Sequence, residues 1–233
     1  MRGKTFNYIL IFLSLIFTRM EGNSQSSRGN ITLGWDAGFS MPSGHISNGD
    51  YPLGYAGNGQ ATQLTIQYGL SETWGFRAGV GLTQQIFDFN EAANSVFRRY
   101  PLAVSTDITA SPYRMISFIA GPVKRLSLSQ KFSLSISPAL GMAVLQTPDI
   151  VMNIITQPHT EVTVGSGRSQ SFIYQLSFSP VYHWSRTVDL KLLVQYSSAS
   201  FRPTVVNEET SFSFRQFVAG AGLGVHLVRS HKD

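Results

Sequence analysis

The sequence of 233 residues contains no cysteine. This excludes disulfides, thiolate metal ligands, cysteine nucleophiles and the lipid-bearing cysteine of a lipoprotein. Charge is scarce as well, because Asp, Glu, Lys and Arg together make up only 13% of the residues, about half of the share usual in soluble proteins. A soluble protein keeps charge on its water-facing surface, and this chain has little to place there.

Long apolar runs are also missing. No segment reaches the ~18 apolar residues that a membrane-spanning helix needs. The run Tyr8–Phe17 has ten residues, follows two basic residues and precedes small residues, a pattern typical of a signal peptide. We therefore expect cleavage after Ser24, so that residues 1–24 are a leader and residues 25–233 form one domain.

The excess of basic residues is small. The formal net charge is +5, from 18 basic and 13 acidic residues, and the leader holds three of the basic and one of the acidic residues, which leaves 15 against 12, or +3. No run of Lys and Arg exceeds two residues, as at Arg98–Arg99. Nucleic-acid binding requires a basic patch or stripe, so we expect no nucleic-acid partner.

What the chain does have is an alternation of apolar and polar residues with a period of two. The segment Leu64–Leu82, LTIQYGLSETWGFRAGVGL, shows it most clearly, with the turn Ser71–Thr73 at its centre. Because alternate side chains of a strand point to opposite faces, this segment is predicted to be a hairpin with one apolar face. The same unit recurs at Lys124–Val144 and Phe178–Tyr196.

These three hairpins, with one strand at each end of the mature chain, make eight strands. The connections alternate between short turns and long loops, the long ones being residues 42–61, 85–112, 147–169 and 202–211. An even number of strands with short turns at one end and long loops at the other is typical of a transmembrane barrel, and lipid forces such a sheet to close. The predicted fold is all-β, a transmembrane antiparallel up-and-down β-barrel of eight strands. Two further candidate strands, Tyr100–Ile108 and Asp149–Thr156, would make ten.

The apolar face of each strand is assigned to lipid and the face rich in Gly, Ser, Thr and Gln to the lumen. In a secreted soluble barrel that binds a small apolar ligand, which is the alternative, the apolar face points inward. Two aromatic girdles are expected at the membrane interfaces. The turn-side girdle comprises Trp74, Phe132, Tyr182 and Trp184, and the loop-side girdle comprises Phe39, Phe87, Phe89, Tyr113, Phe172, Phe201 and Phe214.

Four charged residues are assigned to the lumen: Asp36, Arg77, Lys191 and Arg215. Charges inside a narrow barrel must be paired or hydrated, so we expect a salt-bridge network that fills the lumen. A conducting pore is not expected, because eight strands leave an interior just wide enough for side chains.

The five histidines show no spacing typical of a metal site, and no metal or cofactor is expected. His183 and His226 are both assigned to the lumen near the turn side, where a barrel would bring them towards each other. The glycines of AGAGLG have the spacing GxGxG with no helix after them, so we assign them to lumen packing and not to dinucleotide binding.

Two short motifs resemble the His–x–Ser motif of outer-membrane lipid A deacylases. One is His183–Trp184–Ser185, and the other contains Ser197. A serine hydrolase needs a histidine to take the hydroxyl proton, but the second copy has Gln195 in that place, and the first lies at a turn. We expect a non-enzymatic protein, with a lipid A-modifying hydrolase as the alternative.

The leader ending in Ser–Gln, the hairpin YGLSETWGFRAGVGL and the closing FVAGAGLGVHLV resemble the small outer-membrane β-barrel proteins of Bacteroidota. In membrane architecture these are similar to OmpA/OmpX-type barrels. The resemblance implies export by a cleaved signal peptide and insertion into the outer membrane of a Gram-negative bacterium by the barrel-assembly machinery. It also implies contact with outer-membrane lipid and lipopolysaccharide. The chain departs from that pattern by continuing past its last strand with Arg229–Asp233, where such barrels end on an aromatic residue.

Function is expected in the long loops or at the periplasmic rim, as envelope structure, partner binding or assistance to secretion. Loops are free of the constraints that lipid and lumen impose, and a rigid barrel holds them in place. Exposed aromatic residues and arginines are common anchors of protein recognition. The candidates in the loops are Tyr51, Tyr55, Arg98, Arg99, His159 and Arg168.

Overall fold

The structure is a computed structural model that describes residues 29–44, 54–99, 101, 105–155, 160–202, 204–205, 208–209 and 212–227. The predicted leader, residues 1–24, lies outside these ranges. None of the helices within them is long and apolar enough to cross a membrane.

The described residues form thirteen strands and one helix. In chain order these are β1 Ile31–Ser43, β2 Ala56–Gly69, β3 Trp74–Phe87, α1 Phe89–Arg99, β4 Ser105–Ala110, β5 Tyr113–Ser127, β6 Phe132–Gln146, β7 Ile150–Ile155, β8 Thr160–Val164, β9 Arg168–His183, β10 Val188–Phe201, β11 Thr204–Val205, β12 Glu208–Glu209 and β13 Phe212–Leu227.

Eight of the strands form a closed antiparallel barrel in the order β1, β13, β10, β9, β6, β5, β3 and β2. The first strand closes it, because β1 pairs along one edge with β2 and along the other with β13, from Ile31↔Leu227 to Ser43↔Arg215. Each barrel strand therefore has a partner on both sides, which is the condition for crossing lipid without unpaired backbone groups. The prediction of an eight-stranded up-and-down barrel is confirmed.

The ten-strand alternative is wrong, although both extra segments are strands. β4 and β7 pair with each other, and β7 also pairs with β8, in a separate three-stranded sheet. The barrel has no place for them because β3 pairs directly with β5, in a register that runs from Trp74↔Lys124 to Gln85↔Tyr113. A second small sheet, β11 with β12, lies in the last long loop.

The three short turns lie on one side of the barrel, which we call the turn end, and the opposite side is the loop end. The three turns share one hydrogen bond. Each contains a serine whose Oγ accepts a hydrogen bond from the backbone N–H three residues later. The bonds are Trp74 N to Ser71 at 3.0 Å, Phe132 N to Ser129 at 3.1 Å and Val188 N to Ser185 at 3.0 Å. Serine is favoured in turns for this local bond, which gives Ser185 a structural role.

The apolar face of the barrel strands points outward. In β2, Leu64 and Ile66 are 63% and 49% exposed, whereas Gln63 and Thr65, which alternate with them, are buried. Phe172 in β9 is 80% exposed. The assignment of the two faces is confirmed, and the arrangement is opposite to that of a soluble barrel with an apolar interior.

The predicted girdles are only partly correct. At the turn end Trp74, Phe132 and Trp184 are exposed, and Tyr182 is half-buried with its ring 5.0 Å from that of Phe132. At the loop end Phe39 and Phe172 are exposed on the barrel wall, and Phe89 is exposed on α1. The other four predicted girdle residues at this end are buried inside: Phe87, Tyr113, Phe201 and Phe214. Each has the strand parity of the lumen side chains, so nearness to a loop did not determine its face.

The lumen has two zones of different chemistry. Its loop-end half is lined mainly by apolar side chains of one buried cluster, among them Met115, Leu145, Ile173 and Phe201, beside a hydrogen-bonded group of Ser40, Gln85 and Gln216. Its middle and turn-end half is polar, with Ser, Thr and Gln side chains around a few charges. Two cavities between these side chains have volumes of about 20 and 30 Å³. Each is room for one or two water molecules, so side chains fill this part of the barrel.

The glycine opposite Asp36 makes room for its carboxylate. Gly222 pairs with Asp36 across β1 and β13, and a Cβ on Gly222 would overlap Asp36 Oδ1 and lie 2.6 Å from the carbonyl oxygen of Trp35. By contrast, a Cβ on Gly224 would meet its nearest atoms at 3.4 Å, an ordinary contact. AGAGLG thus serves close packing in the lumen.

We predict that Gly222→Ala destabilises the barrel by about 1–3 kcal/mol, because the added methyl overpacks the lumen, while Gly224→Ala has a clearly smaller effect. Urea unfolding of both variants in lipid vesicles, followed by tryptophan fluorescence, measures this difference. Equal stabilities of the two variants would contradict the described packing around Asp36.

The outward face gives a second, depth-dependent prediction. Leu140 lies at the middle of β6 and is 72% exposed, and Leu128 lies at a turn and is 61% exposed. Arginine at the bilayer midplane costs about 2–4 kcal/mol, and about 0–1 kcal/mol near the interface. Leu140→Arg should therefore destabilise the barrel in a vesicle refolding titration by about 2 kcal/mol more than Leu128→Arg. Equal destabilisation by the two substitutions would show that the membrane depth assigned to Leu140 and Leu128 is wrong.

Candidate functional site

Two of the long loops fold into a small structured unit at the loop end, which we call the cap. It consists of α1 and the sheet β4–β7–β8, and α1 lies against β4. Binding residues lie disproportionately often on connecting segments that a rigid scaffold holds in place. The cap is therefore the first candidate for a functional site.

The helix of the cap is fixed at its start and along one side. Asp88 caps it, since the backbone N–H of Glu91 donates to Asp88 Oδ1 at 3.0 Å, the usual role of an aspartate before a helix. Ala92 and Val96, four residues apart, are buried at 0% and 3% exposure and form the inner face. The hydroxyl of Tyr55 donates to Ser95 Oγ at 2.9 Å, which ties the helix to the segment before β2.

The cap sheet has an inner and an outer face. Ile150, Met152 and Ile154 of β7 and Val164 of β8 are buried on the inner face. Ser105, Asp107 and Thr109 of β4 are exposed on the outer face. The sheet thus covers the loop end with its apolar side and presents its polar side to the surroundings.

Hydrogen bonds fix the sheet to the barrel where its strands leave the wall. Thr147 N donates to the carbonyl of Gly167 at 2.9 Å, and Gly167 N donates to Thr147 Oγ1 at 2.8 Å. Ser111 N donates to the carbonyl of Asp149 at 3.1 Å, and Asp149 N donates to Ser111 Oγ at 3.0 Å. Both pairs are reciprocal, so the connections hold the cap in one orientation.

The cap and the loop-end half of the lumen share one hydrophobic core. The same buried cluster contains Ala92 and Val96 of α1, Ile150 and Met152 of the cap sheet, and lumen residues of the barrel strands. Within it, the rings of Phe201 and Phe214 meet edge to face with centroids 6.1 Å apart. The cap therefore closes the barrel as a plug that is continuous with its interior.

The predicted recognition residues of the loops differ in their exposure, and some of them lie outside the described residues. Arg98 is exposed and forms an ion pair with Glu91, Nη2 to Oε1 2.7 Å, and Arg168 is exposed at the start of β9. Tyr55 does not have the expected exposure, because it is 1% exposed and its ring packs on that of Phe87. Tyr51 and His159 lie outside the described residues, as does the side chain of Arg99.

Sequence reasoning missed two exposed apolar residues of the cap. Phe97 of α1 is 42% exposed, and Ile155 at the end of β7 is 51% exposed. Phe89, which the sequence analysis assigned to a girdle, is 46% exposed on α1. A helical reading of residues 89–99 would have separated Phe97 from the buried positions 92 and 96, but no helix was predicted there.

The structure places three of the four charged residues assigned to the lumen inside the barrel. Asp36 and Lys191 form an ion pair, Oδ1 to Nζ 2.7 Å, and buried Arg77 donates from Nη2 to Ser177 Oγ at 3.0 Å. Arg215 was assigned wrongly. It is exposed and shares the outward parity of Phe217, two residues later in β13, so it lies on the outer wall towards the loop end.

The two lumen histidines do meet, through a residue that the sequence did not single out. Asp189 at the start of β10 lies between His183 and His226, with N···O distances of 2.7 and 2.8 Å. Asp189 has the same parity as Lys191, a signal that would have placed it in the lumen.

Among the described residues, neither serine of the two His–x–Ser motifs is hydrogen-bonded to a histidine. The ring of His183 bonds to Ser133 and Asp189, while Ser185 Oγ accepts the turn hydrogen bond. Ser197 is 1% exposed in the lumen. Both serines therefore occupy structural positions.

Comparisons with known proteins yield similar folds at low sequence identity. No protein-family model and no curated protein matches the chain. The attachment invasion locus protein Ail of Yersinia pestis has a TM-score of 0.48 and 14% identity, over 86% of this chain and 99% of its own. Neisserial surface protein A has 0.47 and 14%, over 84% and 96%. A major outer membrane protein of Thermus thermophilus has 0.49 and 9%, over 84% and 99%. The likeness is one of fold alone.

The hydrogen bond of Asp88 at the start of α1 leads to a prediction. Asp88→Ala removes the side-chain acceptor at the start of α1 and should destabilise the helix by about 0.5–2 kcal/mol. Arg98→Ala removes only an exposed ion pair and should cost about 0.5 kcal/mol or less. Hydrogen exchange of peptides covering residues 89–99, measured by mass spectrometry in micelles, should become faster in Asp88→Ala alone. Equal exchange rates in both variants would show that the hydrogen bond from Glu91 N–H to Asp88 does not stabilise the helix.

Proposed function

We propose that the protein is a non-enzymatic outer-membrane barrel with a sealed lumen that holds the cap as a recognition surface at the cell surface. The observation that carries this proposal is the single hydrophobic core shared by the cap and the loop-end half of the lumen. A plug of this kind is at odds with transport through the barrel. It supports a surface held in a fixed shape.

Placement in the outer membrane is supported by the outward apolar face and by the exposed aromatics at the turn end. Barrels of this kind have their short turns on the periplasmic side and their long loops outside the cell. The same orientation places the cap outside, where lipopolysaccharide and macromolecules are its neighbours.

Recognition of a macromolecular partner is supported by what the cap exposes. α1 presents two half-exposed phenylalanines and Arg98, and Ile155 lies exposed at the end of the neighbouring sheet. Aromatic side chains and arginine are enriched among the residues that dominate binding energy. A partner would meet a surface that is already ordered, and ordering costs are a large part of the cost of binding.

A hydrolase is the second candidate, and one observation favours it. Ser133 Oγ, His183 and Asp189 Oδ1 are linked by hydrogen bonds of 3.1 and 2.7 Å, in the order of a Ser–His–Asp triad. Against it, Ser133 is 2% exposed and belongs to the turn end, away from the outer leaflet where lipid A lies. These two facts support the non-enzymatic proposal.

The cysteine-free sequence permits a sharp test of orientation. Arg98→Cys in the cap and Arg186→Cys at a turn are both exposed positions. A membrane-impermeant maleimide added to intact cells should label the first variant and not the second. After the outer membrane is permeabilised, both should be labelled. Labelling of Arg186→Cys alone in intact cells would reverse the orientation and contradict the proposal.

The recognition role is tested with probes at the same two ends of the barrel. A photo-crosslinking phenylalanine analogue in place of Phe97 should give a discrete crosslinked product with an extracellular macromolecule under the conditions where the gene is needed. The analogue in place of Arg186 should not give that product. Crosslinks from position 186 alone would transfer the function to the periplasmic rim.

A further inference from the structure

Three potential metal-ligating side chains lie together at the turn-end mouth of the lumen. They are His183 from the end of β9, Asp189 from the start of β10 and His226 from the end of β13. Their ligand atoms all lie within 4.8 Å of one another. Two imidazoles and a carboxylate are a ligand set that proteins use for Zn²⁺.

Strand pairing fixes the positions from which these side chains project. Asp189 is paired with His183 across β9 and β10, and with Gly224 across β10 and β13. The backbone N–H of His183 donates to the carbonyl of Lys131 at 2.8 Å, and that of His226 donates to the carbonyl of Thr187 at 2.8 Å. The three Cα positions therefore belong to the rigid wall.

The far side of each imidazole has a hydroxyl partner. His183 Nε2 lies 3.1 Å from Ser133 Oγ, and His226 Nδ1 lies 2.8 Å from Thr32 Oγ1. Imidazoles that bind metals almost always donate the N–H of their other nitrogen to an oxygen. A hydroxyl can accept that proton's hydrogen bond or donate its own, so Ser133 and Thr32 suit both the metal-free and the metal-bound tautomers.

The ring atoms that face Asp189 are the ones a cation would use. In the metal-free arrangement, His183 Nδ1 and His226 Nε2 donate to the two carboxylate oxygens at 2.7 and 2.8 Å. Ligands about 2.1 Å from a tetrahedral ion lie about 3.4 Å apart. Binding thus requires the N···O pairs, at 2.7 and 2.8 Å, to open by about 0.6–0.7 Å, which rotation of partly exposed imidazoles provides.

The cluster is reachable from water but is not a fully exposed surface. The exposed fractions of the side chains are 27% for His183, 14% for His226 and 5% for Asp189. Arg125 interacts electrostatically with Asp189, and its positive charge disfavours a cation. The site should therefore discriminate in favour of ions with high intrinsic affinity for imidazole, which among divalent ions are the late transition metals.

We propose that His183, Asp189 and His226 form a binding site for a divalent transition-metal ion, with Zn²⁺ as the best match to the ligand set. The ion would link β9, β10 and β13 at the turn end and leave a fourth position open to water.

The test uses the whole mature protein, purified without a polyhistidine tag and refolded in micelles, with Zn²⁺ alone as the probe. Competition with a chromophoric chelator should give one Zn²⁺ per chain. His183→Gln and His226→Gln should each weaken binding by at least about 100-fold, since the amide keeps a polar group but is a poor ligand. Thr32→Val, which removes only the hydroxyl behind His226, should weaken it about 10–100-fold.

His231→Gln is the matched control, because it removes a histidine that is not one of the three proposed ligands, and it should bind as the wild type does. Heat-modifiable migration on gels checks that each variant is folded. Co²⁺ in place of Zn²⁺ should give the intense visible absorption of tetrahedral coordination in the wild type and in His231→Gln, and not in the two cluster variants.

Two results would overturn the proposal. One is a folded wild-type protein that binds no Zn²⁺, which would leave the three residues as a hydrogen-bonded cluster. The other is unchanged binding in His183→Gln and His226→Gln, with loss in His231→Gln, which would locate the ion elsewhere. If a glutamine variant does not fold, the wild-type stoichiometry together with Thr32→Val decides.

Discussion

Closure of the sheet is the constraint on which the rest of the structure depends. In lipid no water can satisfy a free backbone N–H or carbonyl, so β1 must pair with β13 along its whole length. Once eight strands are closed, the interior has room for side chains and little else. The glycine opposite Asp36 and the polar side chains in the turn-end half both follow from fitting side chains into a narrow cylinder.

The narrow lumen is filled in two different ways along its length. Towards the turn end, charges are taken up by pairing, as in Asp36 with Lys191, because an isolated ion at low dielectric is costly. Towards the loop end, apolar side chains from wall and cap fill the space. The barrel thus has a polar interior where it is closed by itself and an apolar interior where folded loops close it.

Much of the fold could be predicted from the sequence because a strand has a period of two. Alternation identified the eight barrel strands, and the Gly, Ser, Thr and Gln residues of the opposite face assigned Leu64 and its neighbours to the outside. Errors arose where parity was not applied, as for Arg215 on the outer wall and for Phe87 inside. The cap could not be predicted in this way, since the paired residues of β4 and β7 are 40 or more positions apart in the sequence, and α1 is specified by its packing. The role of Asp189 could not be predicted either, because it depends on how three strands bring this residue between two histidines.

The shared core also limits how the cap can change over generations. In a barrel with unstructured loops, almost any loop residue can be exchanged without effect on the wall. Here an exchange at Ala92 or Ile150 would disturb the packing inside the barrel as well. Among the described residues of the cap, sequence drift without loss of the fold is therefore confined to the outer face of the cap sheet, at positions such as Ser105 and Asp107, and to the exposed side of the helix.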